Sequence, residues 1–148
     1  MTEPFILFTV AGTTYALRSK DVAHIEMVDQ VTAVPNAVHF VDGVVFSRGQ
    51  VVPALNLRAR FGFDKASYDL SSRLLVVHAA GRSVGLVVDT AREFVSIDPA
   101  SIQPPSAALT GLSGRYLEGV ANLGDRLILV LDLAEVLAFG DPALETHA

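Results

Sequence analysis

No cysteine occurs in the chain. Its absence excludes disulfides, thiolate catalysis and Cys-ligated zinc together. Tryptophan is missing too, while Val and Leu dominate, a balance that suits strands more than aromatic-rich grooves. Basic residues are scarce, 11 Lys and Arg against 16 Asp and Glu, for a formal net charge of −5 and a pI near 5.2. No basic stripe is available to release phosphate counterions, which argues against nucleic acid as a partner. The longest uninterrupted aliphatic run, Leu127–Leu131, falls far short of a membrane span, so no direct membrane insertion is expected. The opening residues lack a basic stretch followed by an apolar one, so no secretion signal and a cytoplasmic protein are expected.

Signs of catalysis are equally sparse. The four histidines, His24, His39, His78 and His147, never stand three to five residues apart, so no paired metal ligands arise. Gly111-Leu-Ser-Gly114 is one position short of a nucleophile elbow. Gly81-Arg-Ser-Val-Gly85 has too few glycines for a phosphate cradle, and a strand follows it where a helix is needed. Asp89, Glu93 and Asp98 have the spacing of caps and solvated faces. The reading is of a protein that is not an enzyme, with no cofactor and no metal.

What the chain does contain is a large apolar fraction, 51% of its residues, and a mean hydropathy of +0.43. That is ample for a packed core and argues against disorder. It also contains a repeat. A shift of 76 residues lays Phe40–Phe63 on Tyr116–Phe139 without a gap, matching Gly43 to Gly119, Val44 to Val120, Leu55 to Leu131, Leu57 to Leu133 and Phe63 to Phe139. A second shift, of 69, lays Gly12 on Gly81 and Leu17 on Leu86. Each half reads strand, strand, strand, hairpin, short helix.

In the first half the strands are Phe5–Val10 and one beginning at Tyr15–Leu17, with Met1–Pro4 a leader. Ser19 is expected to cap a helical turn over Asp21–His24, because Val22 and Ile25 are three apart, and Glu26–Asp29 is then extended. Val44–Phe46 and Val51–Leu55 flank Ser47-Arg48-Gly49-Gln50 as a hairpin, and Asn56 caps a turn through Arg60. Residues 64–72 are the expected crossing between the halves. In the second half Arg73–His78 and Ser83–Val88 repeat the opening, with Asp89 as another cap. Phe94–Ile97 is a strand, 98–114 a long loop, Asp132 a capping residue and 140–148 a tail. The expected fold is mainly all-β: two small barrels packed along an apolar seam, with short helices.

Arg48 is the most informative charge. An arginine at a hairpin tip commonly serves solubility. It is also a preferred interface anchor, and neighbours Phe46 and Ser47 do not suit a turn built for solubility alone. Glu26, beside Ile25 in an apolar stretch, reads equally as the polar side of a strand or as part of a contact surface. A partner-binding edge of this kind describes a scaffold, not a catalyst.

The ordered set Phe5-x-x-Phe8, Gly12-x-x-Tyr15-Ala-Leu, Val22-x-x-Ile25-Glu26, Val34-Pro35, Val41-x-Gly-Val-Val45, Arg48-Gly-x-Val-Val-Pro53, Leu57-Arg58 and Val87-Val-Asp89 resembles the CheW-like domain of bacterial chemosensory systems. The likeness covers 5–139, with half-repeats about 5–63 and 73–139, and it implies two tandem SH3-like five-stranded β-barrels sharing an apolar seam. It implies a cytoplasmic adaptor joining chemoreceptor tips to the regulatory domain of a CheA-type histidine kinase, near receptor clusters. Contacts with other CheW-like domains in arrays are also implied. Arg48 matches the family's hairpin arginine, and Ile25, Glu26 and Val28 match an edge segment that contacts partners. The resemblance implies structural roles for Gly43, Gly49, Pro53 and Gly119. Family members usually carry Asn and a large apolar residue where this chain has Phe46 and Ser47, and Asp where it has Asn56. One alternative is therefore a divergent member that binds receptor alone or kinase alone in an accessory motility pathway. Another, of a different class, is a small-molecule sensor with a ligand in the inter-barrel seam.

Overall fold

A computed structural model describes residues 1–79, 81–105 and 113–139. The first half supplies β1 (Glu3–Val10), β2 (Thr13–Arg18), β3 (Val22–Met27), β4 (Val41–Ser47), β5 (Gln50–Asn56) and a one-turn helix α1 (Leu57–Arg60). The second supplies β6 (Arg73–Ala79), β7 (Arg82–Val88), β8 (Thr90–Ile97), β9 (Leu117–Leu123), β10 (Arg126–Leu131) and α2 (Leu133–Val136). These strands form two five-stranded sheets, ordered β8-β1-β2-β10-β9 and β3-β6-β7-β5-β4. Replacing every strand by its repeat partner (β1 by β6, β2 by β7, β3 by β8, β4 by β9, β5 by β10) converts one order into the other. The duplication therefore governs the whole fold.

Neither sheet belongs to one half. β1 and β2 sit among β8, β9 and β10, and β6 and β7 sit among β3, β4 and β5. Strands of the two halves meet in four ladders, antiparallel between β1 and β8 and between β3 and β6, and parallel between β2 and β10 and between β5 and β7. Parallel neighbours need a long connection, which the rest of the chain provides.

Three apolar clusters explain the near-continuous hydrophobic runs. Phe5, Leu7, Ala16, Ile97, Ala121, Ile128 and Val130 fill the inside of the first barrel. Val45, Val52, Ala54, Leu74, Val76 and Val87 fill the second. The alternate residues of the same strands, among them Phe8, Val10, Leu75, Val77, Val84 and Leu86, pack in a larger cluster between the barrels. Strands buried on both faces lose polar alternation. Asn56 accepts from Ala59 N at 3.2 Å, and Asp132 accepts from Glu135 N at 3.2 Å, so both expected caps are present.

Several local expectations change. The ladder continues to Ser47 and Gln50, leaving a two-residue turn in which Arg48 (φ 47°) and Gly49 (φ 83°) are both left-handed. The turn at Asp21–His24 is instead a 3-10 turn over Ser19–Asp21 with no side-chain cap, and His24 lies on β3. A register shift between Val22 and His24 puts Val22 and Ile25 on one face, mimicking helical spacing. Asp89 caps no helix; it accepts from Ala11 N at 2.8 Å and pairs with Arg58. Residues Glu3 and Pro4 belong to β1, and β8 begins at Thr90. The tail at 140–148, His147, and much of the 98–114 loop lie outside the described residues.

The repeated Gly43 and Gly119 share one cause. A Cβ at Gly43 would lie 2.0 Å from Thr32 O, and one at Gly119 would lie 2.4 Å from Gln103 O. These carbonyls belong to isolated bridges, Thr32 with Val44 and Gln103 with Val120, that lie against β4 and β9.

Candidate functional site

The sequence-derived candidates converge on one edge of the second sheet. β3 and β4 are the ends of its strand order, so no backbone ladder joins them. Side chains join them instead. Ser47 on β4 donates its hydroxyl to Glu26 Oε2 on β3, and His24 Nε2 lies 2.9 Å from Ser47 Oγ and 2.5 Å from Glu26 Oε2.

Alternation along β4 decides what each residue can do. Val45 and Ser47 point inward, Ser47 being only 4% exposed, while Phe46 between them is 75% exposed. The sequence grouped Ser47 with Phe46 and Arg48 as one binding surface. The structure turns Ser47 inward into the join between strands. Phe46 faces Val51 directly across the hairpin, and Val51 is 66% exposed. Such a cross-strand apolar pair left in water is unusual at a turn. Arg48 follows, exposed, with no hydrogen bond or ion pair to any described residue.

On β3, His24 and Glu26 are half-buried and face this join, whereas Ile25 packs on the cluster between the barrels. Ile25 thus sits on the opposite face from Glu26. Val28 packs partly on the second barrel's core. It also lines a groove of about 150 Å³ with Glu26, Met27, Asp29, Gln30, Val45, Phe46 and Leu74. A smaller groove of about 50 Å³ holds Arg48 with Ala23, His24, Ser47, Gln50, Val52, Val76, His78 and Ser83. The bridged side chains divide an acidic groove from one that carries a cation. Sequence reasoning passed over His24, Met27 and Val51. Only Val51 had a signal, since a two-residue turn places it opposite Phe46.

This Ser, His and Glu set is not a nucleophilic triad. There the serine and the acid bind different ring nitrogens; here both contact Nε2. Among the described residues no group of His, Asp or Glu could hold a metal ion. A broad, open depression of about 420 Å³ is lined by residues 65–68 together with Val31, Asp42 and Asn56. Asp42 gathers most of its polar groups. Asp42 accepts from Asn56 Nδ2 at 2.8 Å and from the Tyr68 hydroxyl, and it pairs with Lys65 at 3.0 Å. Burial and the Asp42 charge push the Tyr68 phenol well above its ordinary range. No helix among the described residues is long and apolar enough to cross a membrane.

The first sheet bridges its own edge differently. Arg126 on β10 donates to Glu93 on β8 at 3.2 and 2.9 Å, which lowers the Glu93 pKa. Phe94 and Leu127 are exposed nearby on the same strands. The two barrels are held to each other by charge as well as packing. Arg58 on α1 pairs with Asp89 and, through it, with the β1–β2 turn. Arg60 donates to Val136 O at 2.9 Å, its guanidinium 4.5 Å from the Phe40 ring and 4.9 Å from those of Tyr116 and Phe139. Burial lowers its pKa.

Comparison with known proteins gives a consistent picture. The sequence model of the family described as "CheW-like domain" matches residues 4–139. The chain is 32% identical over 142 residues to "Chemotaxis protein CheW" of Klebsiella aerogenes, covering 96% of this chain and 86% of that one. It is 28% identical over 103 residues to "Protein FrzA" of Myxococcus xanthus, covering 70% and 64% of the two chains. The solved structure of the scaffolding protein TtCheW from Thermoanaerobacter tengcongensis superposes with a TM-score of 0.85 at 29% identity, covering 94% of each chain.

Proposed function

The chain belongs to the CheW-like domain family, and from that premise we propose that it couples chemoreceptors to a CheA-type histidine kinase. Proteins of this family are non-catalytic adaptors, and the chain has the same character: it works by holding surfaces together. The cytoplasmic tip of a chemoreceptor and the regulatory domain of the kinase are its partners, other CheW-like domains join it in arrays, and it acts in the cytoplasm beside receptor clusters. Domain organisation follows the family, with one CheW-like domain over 5–139, crossing between its halves near 64–72.

The observation that carries this reading is the open edge of the second sheet. Arg48, without a partner among the described residues, stands beside the exposed Phe46–Val51 pair on a two-residue turn. Exposed aromatic and arginine side chains on fixed backbone are the usual anchors of protein interfaces. Glu26, Val28 and Phe46 line the adjacent groove. Ser47 supports them from within, and Ile25 fixes β3 against the core.

Titration against a receptor cytoplasmic tip and a CheA regulatory domain tests the proposal. Micromolar or tighter binding to both is expected. Arg48→Ala should weaken receptor binding by about 2 kcal/mol or more, the loss typical of a hot spot. Binding to neither partner would refute the adaptor role. Binding to one alone would support the divergent reading, toward which Phe46 and Ser47 point. A ligand in the seam is disfavoured because Phe8, Tyr15, Leu55, Leu75, Leu86 and Leu131 fill the space between the barrels.

A further inference from the structure

We infer that Ser47 and His24 are positioning residues for Glu26, holding one of its carboxylate oxygens so that the other receives a cationic side chain of the partner. The inference rests on the adaptor reading above and names the chemistry of one contact within it.

β3 and β4 lie at opposite ends of their sheet order, so nothing in the backbone ladder sets their separation at this point. Ser47 Oγ and His24 Nε2 both engage Glu26 Oε2. Oε1 has no partner among the described residues and remains free to accept. A glutamate on a strand edge ordinarily samples several rotamers and loses them on binding. Two contacts to one oxygen remove that freedom beforehand, which is how a rigid site gains affinity.

The groove that Glu26 enters gives the sign of its ligand. Its lining includes the carboxylates of Glu26 and Asp29 and no cation, with apolar contributions from Met27, Val28, Val45, Phe46 and Leu74. A Lys or Arg side chain fits both features, its stem along Phe46 and Val28 and its head at Glu26. A bond from such a head to the Glu26 carboxylate is charge-assisted and so among the stronger kinds. On the far side of the Ser47 join, Arg48 offers the opposite charge. The edge therefore reads a partner segment that carries a cation and an anion in fixed order about an apolar anchor.

A double-mutant cycle tests this, with the same receptor tip and kinase regulatory domain as titrants. Glu26→Gln should weaken at least one partner roughly tenfold and flatten the salt dependence of that interaction. Ser47→Ala should weaken the same partner several-fold, and adding it to Glu26→Gln should cost nothing further. Ser47→Thr, which keeps the hydroxyl, should restore binding. Should Ser47→Ala fail to fold, His24→Ala runs the same cycle. Fully additive losses, or a Glu26→Gln variant that binds both partners normally, would overturn the positioning role and leave the adaptor reading intact. A wild-type chain that binds neither partner overturns both.

Discussion

Arg48 occupies a backbone conformation that its residue type disfavours, and replacing it with asparagine should make the protein more stable and less able to bind. In the two-residue turn Arg48 has φ 47° and Gly49 φ 83°. Such a turn prefers Asn-Gly or Asp-Gly, because the first position must be left-handed. An L residue with an ordinary side chain loses ~1–2 kcal/mol there, and asparagine loses less. The arginine side chain recovers none of this within the fold, since it has no partner among the described residues. Arg48→Asn should thus stabilise the chain by ~0.5–1 kcal/mol, raising the melting temperature by ~1–4 °C for a domain of this size. The same change removes the interface cation and should weaken receptor binding by ~2 kcal/mol, about thirtyfold. Thermal and urea unfolding read the first effect, and titration calorimetry reads the second. A destabilised variant would mean that Arg48 serves the fold. A variant that is more stable and binds as before would mean that the strained turn serves no interface.

Gly43→Ala should cost ~3–5 kcal/mol, because it strains a positive φ and separates the two 2.9 Å hydrogen bonds between Thr32 and Val44. Gly49→Ala meets no atom within 4 Å and should cost only ~1 kcal/mol, so urea midpoints separate the two causes. Phe46→Ser should leave the unfolding midpoint nearly unchanged and weaken partner binding at least several-fold, because the ring is mostly exposed and faces the likewise exposed Val51. Arg60→Lys should destabilise by ~2 kcal/mol or more in urea, since an ammonium cannot both reach Val136 O and lie flat among three rings. Arg126 holds the Glu93 pKa below its ordinary value. The stability that this pair contributes is therefore present at neutral pH and lost as pH falls through the depressed folded-state pKa. Arg126→Ala should return the Glu93 carboxyl titration, followed by NMR, toward the ordinary range.

Much of the architecture was written in the residues. The match of Phe40–Phe63 to Tyr116–Phe139 announced a duplicated unit, and each strand has its counterpart in the other half. Arg48-Gly49 announced a turn, and Asn56 and Asp132 announced caps that the structure contains. The misreadings share a cause. β3 looked helical because a bulge skips Ala23 and leaves Val22 and Ile25 in step at a spacing of three. The same bulge recurs in β8, where the register passes from Glu93 to Ala91 and skips Arg92, and there it hid the first half of the strand. A bulge shifts the two-residue period without leaving a mark in composition. Ser47 was grouped with Phe46 because adjacency in sequence does not reveal which of two neighbours faces inward until the register is known.

The amino-acid pattern alone determined that there would be two equivalent units of short strands, with Gly43 and Gly119 at corresponding places. Only the tertiary structure decided which hairpin entered which sheet. It exchanged β1–β2 with β6–β7, because repeated units present the same apolar faces and register preferences to either partner. It also decided that β3 and β4, separated by the proline-containing loop 28–40, would meet through Ser47, His24 and Glu26. Alternation shows that a side chain is buried. What it is buried against depends on how the sheet closes.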